Sequence, residues 1–107
     1  MSTKEEAKII ECISEDDRRR ERRIECHTPA QVTLVQLGYT CPGIILDASS
    51  NGLRVRTGRH VGKGWEVQIT IGTAVAFGEV RYCVESKEPG KYEFGVLVLN
   101  VRTPYSK

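Results

Sequence analysis

Turn signals divide residues 29–100 into six runs that are rich in β-branched residues and too short for stable helices. The runs predicted to be strands are residues 31–37, 43–47, 53–57, 65–71, 74–82 and 92–100. Residues 65–71 alternate apolar and polar side chains, which is the period of a strand with one buried face. Gly72 and Thr73 form a candidate two-residue hairpin turn. This spacing predicts an all-β fold, a six-stranded antiparallel barrel whose closure removes exposed strand edges.

The length of 107 residues predicts one domain with one modest core. No apolar run approaches the roughly 20 residues that span a bilayer, and no apolar stretch follows a basic start as in a secretory signal. The four cysteines are far apart, and the only neighbouring metal ligand is His27 beside Cys26. We therefore expect reduced thiols, no metal site, no membrane insertion and a cytoplasmic location.

The first 28 residues have a different character from the strands. Residues 4–14 mix Ile9, Ile10 and Ile13 with Lys and Glu, which predicts a short helix that is stable only when it packs on the body. Residues 14–25 are charged and predict a linker or loop. This stretch holds five arginines within six residues: Arg18, Arg19, Arg20, Arg22 and Arg23. Because the net charge is only +2, the chain as a whole is not a polycation that would seek nucleic acid.

Nothing in the sequence has the spacing of a known catalytic motif. His27 and His60 are the only histidines, and neither is paired with a nucleophile and an orienting acid. Phosphate-loop, zinc-protease and dinucleotide-binding patterns are absent. The glycine-rich residues 58–64 lack the spacing and the following helix of a phosphate loop, and we interpret them as a flexible hairpin loop. We expect no enzymatic activity.

Two motifs stand out when they are taken together. Arg19 and Arg23 form an Arg-x-x-x-Arg pair with Arg18 directly before it, and Asp47-x-Ser49-x-x-Gly52 follows about two dozen residues later. An arginine run alone is usually a solvated face or a basic arm for nucleic acid. The second motif alone is usually a turn in which Asp and Ser cap backbone amides and Gly takes a positive φ.

In combination the two motifs resemble the signature of the PilZ family of cyclic di-GMP receptors. The final predicted strand, with Phe94-Gly-Val-Leu-Val98, is similar to the last strand of such domains. The resemblance implies a PilZ domain over residues 17–101, with an N-terminal segment 1–16 that is helical or disordered and a tail 102–107. That tail is too short for the C-terminal helix of many PilZ domains, so we expect residues 4–13 to cover the barrel end instead.

The resemblance also implies a binding site for cyclic di-GMP. The residues expected to bind the ligand are Arg18, Arg19, Arg23, Asp47, Ser49, Gly52 and Arg81. Arginine guanidinium groups suit phosphates, guanine edges and base faces, and an ionised Asp accepts from guanine N1–H and N2–H. Arg81 lies where PilZ domains often present a residue that packs on guanine. In this family an arginine at the position of Arg18 tends to accompany a dimeric ligand, which implies two molecules per chain and no other cofactor.

The implied function is a receptor whose arginine arm changes conformation on binding and which signals through an unidentified downstream protein. One alternative is a small β-barrel that binds RNA or single-stranded DNA. Such proteins interleave aromatic residues on a strand face, whereas the tyrosines here do not cluster in one strand. Another alternative is a PilZ-like protein-interaction adaptor that has lost its ligand, against which the intact motifs argue.

Overall fold

The computed structural model describes residues 3–14 and 23–104, and within them one helix precedes six strands. The helix is α1 (Lys4–Ser14), and a 3₁₀ turn, Val35–Leu37, joins the first two strands. The strands are β1 (Arg23–Leu34), β2 (Tyr39–Ser49), β3 (Gly52–Thr57), β4 (Glu66–Ile71), β5 (Ala74–Glu85) and β6 (Tyr92–Arg102).

All neighbouring strands pair antiparallel in the order β1-β2-β3-β6-β5-β4, and β4 pairs with β1 to close the ring. The predicted six-stranded antiparallel barrel is confirmed. The β4–β5 hairpin has the predicted two-residue turn, in which Ile71 pairs with Ala74 and Gly72 has a φ of 60°. A glycine accepts this positive φ at no steric cost.

Four of the strands have 11 or 12 residues, so they are longer than the predicted runs. The interpretation of residues 14–25 as a linker or loop was wrong at both described ends, because Ser14 ends α1 and β1 begins at Arg23. Of the inward positions of early β1, Ile24 is strongly apolar, but Cys26, Thr28 and Ala30 after it are too weakly apolar to signal a strand. Pro29 lies before the part of β1 that pairs with β4, so its missing N–H removes no bond on that side.

Inward-facing side chains of all six strands fill the barrel. They are mostly β-branched, and the fully buried ones include Val32, Leu34, Ile45, Val55, Val67, Ile69, Ile71, Val80 and Phe94. Burial alternates strictly along β3 and β4 and through the first half of β5. This alternation is what the sequence pattern predicts for strands with one face in a core.

Helix α1 packs against β1, β2 and β6 at one end of the barrel. Its start is fixed by a capping box, since Glu6 N–H donates to Thr3 Oγ1 at 3.1 Å and Thr3 N–H donates to Glu6 Oε1 at 2.7 Å. Ile9, Cys12 and Ile13 project from one face into the barrel core. A helix of 11 residues is marginal alone, so this burial is what holds it in place.

Residues 58–65 close the opposite end, and they are not the predicted hairpin loop. Strand β3 pairs with β2 and β6, whereas β4 pairs with β1 and β5, so this segment crosses from one side of the ring to the other. Val61 is 1% exposed and joins the core. The Trp65 ring lies over Gly62, where a Cβ would come within 2.4 Å of Trp65 Nε1. The absence of a side chain at Gly62 therefore allows the Trp65 ring to pack against the backbone.

The four cysteines all lie within the described residues, and no disulfide joins any of them. Cys12 and Cys41 are buried, and Cys26 and Cys83 are half-buried. Burial raises the pKa of Cys26 and of Cys41, which favours the protonated thiol in both. No helix in residues 3–14 or 23–104 is long and apolar enough to cross a membrane.

Candidate functional site

A pocket on the outer wall of the barrel brings together residues from five strands. We call it the wall pocket; its volume is about 210 Å³. It is lined by Arg23, Asp47, Ser49, Asn51, Gly52, Leu53, Arg54, Arg81, Tyr82, Gly95, Val96 and Leu97. Five of the seven site residues predicted from the sequence are among them: Arg23, Asp47, Ser49, Gly52 and Arg81. The other two, Arg18 and Arg19, lie outside the described residues.

One row of the wall pocket follows from the register around the β2–β3 turn. Ser49 is opposite Arg23 on β1 and opposite Gly52 on β3, and Gly52 is in turn opposite Leu97 on β6. Residues that are 24 positions apart in sequence, Arg23 and Asp47, therefore reach one patch because β1 and β2 are paired. This pairing brings Arg23, the one described arginine of the first motif, next to the Asp-x-Ser-x-x-Gly motif.

Gly52 does not have the positive φ that is usual for the glycine of such a turn. It is the first residue of β3, and the only glycines with positive φ in the described residues are Gly38, Gly64, Gly72 and Gly90. A Cβ at position 52 would lie 3.1 Å from the carbonyl oxygen of Val96. The glycine thus permits close approach of the β6 backbone. Nearby, the bonds that the Ser49 hydroxyl donates within the described residues are long, 3.4 Å to Asn51 Oδ1 and 3.5 Å to Gly52 O, so they would yield to a ligand at little cost.

The second row of the wall pocket has Asp47 opposite Arg54, Arg54 opposite Gly95, and Gly95 opposite Tyr82. Arg54 Nε lies 2.8 Å from Asp47 Oδ2. Its N–H has no acceptor in hydrogen-bond geometry among the residues that the structure describes, so the contact is an ion pair without a directed hydrogen bond. Arg54 Nη1 lies 3.5 Å from Glu93 Oε1, the outer limit of a hydrogen bond.

A bulge in β5 gives the pocket two consecutive side chains from one strand. The register between β5 and β6 shifts between Val80 and Tyr82, which leaves Arg81 as the extra residue. Tyr82 packs on Gly95, where a Cβ would come within 2.2 Å of Tyr82 Cε2. Tyr82 as a residue stays 44% exposed, so it is accessible to a ligand. Arg81 is more exposed and lies 3.6 Å from Glu79 through Nη1 and Oε1.

Sequence reasoning missed Arg54 and Tyr82. The alternation in residues 53–57 already placed Arg54 on the outer face of the strand that follows the Asp-x-Ser-x-x-Gly motif. Tyr82 had no such signal, because a bulge cannot be read from alternation alone. With Arg54 included, the described lining has three arginines and one carboxylate, Asp47. This balance suits an anionic ligand that also offers hydrogen-bond donors.

Comparison with known proteins agrees with this description. The sequence model of a family described as PilZ domain matches residues 17–105. No curated protein matches the chain at a significant level. Among solved structures, the Bacillus subtilis inhibitor of motility (MotI/DgrA) is similar, with a TM-score of 0.59 and 14% identity over 80% of this chain. The present chain covers 44% of that protein, and at this identity the likeness concerns the fold.

Proposed function

The chain belongs to the PilZ domain family, and we propose that it is a cytoplasmic receptor for cyclic di-GMP that signals through a protein partner. PilZ domains are ligand-binding adaptor domains and not enzymes, which agrees with the lack of a catalytic motif. The observation that carries the proposal is the meeting of Arg23, Asp47, Ser49 and Gly52 in the wall pocket. These are the described members of both family motifs.

The residues of the wall pocket offer a partner for each part of the ligand. Arg23 bonds phosphate oxygens, while the Asp47 carboxylate accepts from guanine N1–H and N2–H. Ser49 adds a hydroxyl, and Gly52 lets the ligand approach the backbone. The half-exposed Tyr82 ring supplies a stacking surface for a base, with Arg81 beside it.

The arginines before β1 complete the site. The pocket volume of about 210 Å³ is below the roughly 300–1,000 Å³ of pockets that enclose a drug-sized ligand, so cyclic di-GMP would protrude from it. Arg19 precedes Arg23 by four residues, which span at most about 14 Å when extended. Arg18 and Arg19 are therefore within reach of a ligand seated on the wall. We expect this arm to change conformation on binding, and amide exchange of residues 14–23 with and without ligand tests that directly.

Arg18 is expected to set the ligand count at two molecules per chain. Two stacked ligands carry four phosphate charges, and the guanidinium group of Arg18 would neutralise part of this additional negative charge. Calorimetric titration of the wild type and of Arg18→Leu measures the stoichiometry. One ligand per chain in both proteins would contradict this role.

Titration with cyclic di-GMP and with RNA and single-stranded DNA oligonucleotides, at two salt concentrations, tests the function. We expect cyclic di-GMP to bind, and Arg19→Ala or Arg23→Ala to weaken it by about 1.5–3 kcal/mol each, the range for charge-assisted hydrogen bonds. Arg102→Ala is a control, because Arg102 stacks on Phe77 outside the wall pocket. Tight, salt-dependent binding of oligonucleotides alone would indicate a nucleic-acid-binding barrel. Binding of neither ligand would indicate an adaptor that has lost its ligand.

A further inference from the structure

Arg54 belongs to neither sequence motif, yet it lies next to the carboxylate at the centre of the wall pocket. The 2.8 Å contact from Nε to Asp47 Oδ2 places a cation and an acceptor side by side on the pocket floor. The side chain of Asp47 is only 13% exposed and that of Arg54 is 41% exposed. The carboxylate is therefore held deep while much of the guanidinium group faces outward.

Within the described residues, the N–H donors of the Arg54 guanidinium group make no short, well-aligned hydrogen bond. The group carries five N–H bonds, and its two carboxylate contacts among the described residues are an undirected ion pair with Asp47 and a 3.5 Å contact with Glu93. Neither is a short, well-aligned hydrogen bond. An acceptor on a bound ligand would thus meet an arginine that is already oriented and only weakly engaged.

An acceptor and a donor side by side match the edge of guanine. Guanine presents N1–H and N2–H donors next to its O6 acceptor, whereas adenine presents an acceptor at N1 and a donor at N6. We propose that Arg54 is a specificity-determining residue: it donates to O6 of the guanine whose N1–H and N2–H are bound by Asp47. This inference rests on the proposed function. With adenine in the same place, N6–H would face the guanidinium donors and N1 would face the carboxylate, so both groups would be left unpaired.

Arg56 provides a matched comparison within the same strand. It lies two residues after Arg54 on the same outer face of β3, and it also pairs with a carboxylate, since Nε lies 3.1 Å from Glu88 Oε2. Its Nη2 lies 3.1 Å from His27 Nε2, and it does not line the wall pocket. Replacement of Arg56 therefore measures the effect of losing an ion-paired arginine from β3 without loss of the proposed guanine contact.

The test measures the affinity of cyclic di-GMP and of cyclic di-AMP for the wild type, Arg54→Met and Arg56→Met. Methionine keeps an aliphatic stem and removes every donor. We expect Arg54→Met to weaken cyclic di-GMP binding about tenfold and to lower the ratio of the two affinities by a similar factor, as one base contact contributes. Arg56→Met should keep the wild-type ratio. A wild-type ratio in Arg54→Met would overturn the inference while leaving the proposed function in place.

The Glu93→Gln variant distinguishes two possible roles of Arg54: recognition of guanine, and an ion pair that connects β3 with β6. This variant removes the second carboxylate contact of Arg54 and leaves Arg54 beside Asp47, so the preference for guanine should persist. If Glu93→Gln lost as much of the preference for guanine as Arg54→Met, Arg54 would act only by connecting β3 with β6. If Arg54→Met does not fold, Arg54→Lys keeps a cation beside Asp47 but lacks the planar fork, and a reduced ratio is expected there too. Failure of the wild type to bind cyclic di-GMP would overturn the proposed function and this inference together.

Discussion

Replacement of Gly95 by alanine is expected to drive Tyr82 out of the wall pocket. The new Cβ would lie 2.2 Å from Tyr82 Cε2 and 2.8 Å from Cζ. Unbonded carbons sit about 3.5–4.0 Å apart, so the ring must move by more than 1 Å. Because Tyr82 is half-exposed, we expect its side chain to move outward without a change in the barrel backbone.

The expected changes in stability and in ligand affinity follow from the packing and stacking contacts of the Tyr82 ring. Loss of packing on Gly95 should lower the free energy of unfolding by about 1 kcal/mol, the low end for overpacking, since the displaced group is at the surface. Stacking of a base on an aromatic side chain contributes about 1–3 kcal/mol by alanine substitution. If Tyr82 stacks on guanine, the Kd for cyclic di-GMP should rise about 5- to 150-fold.

A double-mutant cycle isolates the contribution of Tyr82. Calorimetric titration of Gly95→Ala, Tyr82→Ala and the double variant should give the double variant the affinity of Tyr82→Ala alone. Gly58→Ala is the control, because the nearest atom to a Cβ there is Lys91 Nζ at 3.9 Å. The reasoning is refuted if Gly95→Ala leaves the affinity unchanged, or if it weakens binding as much in the Tyr82→Ala background as in the wild type.

Three further predictions concern the helix and the bulge. Ile9→Ala should lower the unfolding free energy by about 2–5 kcal/mol in denaturant titration, because Ile9 is fully buried, while Lys8→Ala on the exposed face should change it by less than about 0.5 kcal/mol. Hydrogen bonds from the Thr28 hydroxyl and the His27 N–H hold the pKa of Glu5 below its usual value. The stability that these bonds confer is complete above the pKa of Glu5 in the unfolded chain, about 4.3. It is lost as the pH falls through the lower pKa of the folded protein. Glu5→Gln should therefore lower Tm at pH 7 and lose less stability than the wild type between pH 5 and 3. Arg81→Ala should weaken cyclic di-GMP binding by about 1 kcal/mol, and an unchanged affinity would make Arg81 a solvent-facing strand residue.

The sequence pattern predicted the number of strands, their order along the chain and the closed antiparallel ring. Strict alternation in residues 65–71 and a glycine turn at Gly72 were sufficient for β4 and its hairpin. The start of β1 was missed because Ile24 is followed at the inward positions by the weakly apolar Cys26, Thr28 and Ala30, where packing rather than propensity decides the structure. Propensity scales cannot detect a strand that the rest of the barrel imposes.

For the site, the two motifs indicated residues from β1 and β2 that the structure places in one pocket. Arg54 comes from β3 and reaches that pocket through the local β2–β3 register, opposite Asp47, whereas Tyr82 comes from β5 and reaches it only through the β5–β6 register. Such long-range registers are not encoded in local spacing. The bulge at Arg81 adds a further shift, so the sequence pointed to Arg81 while the ring that packs on Gly95 belongs to its neighbour.

The ring closure has a consequence for how the chain folds. Gly52 pairs with Leu97 and Gln31 pairs with Thr70, so the contacts that close the ring join residues far apart in sequence. Pairings of this kind are slow, and barrels dominated by them fold in milliseconds to seconds. The β3–β6 pairing also runs through the middle of the wall pocket, between Arg54 and Gly95. A chain in which β3 and β6 have not yet paired therefore lacks this pocket, and recovery of cyclic di-GMP binding during refolding is expected to follow that pairing.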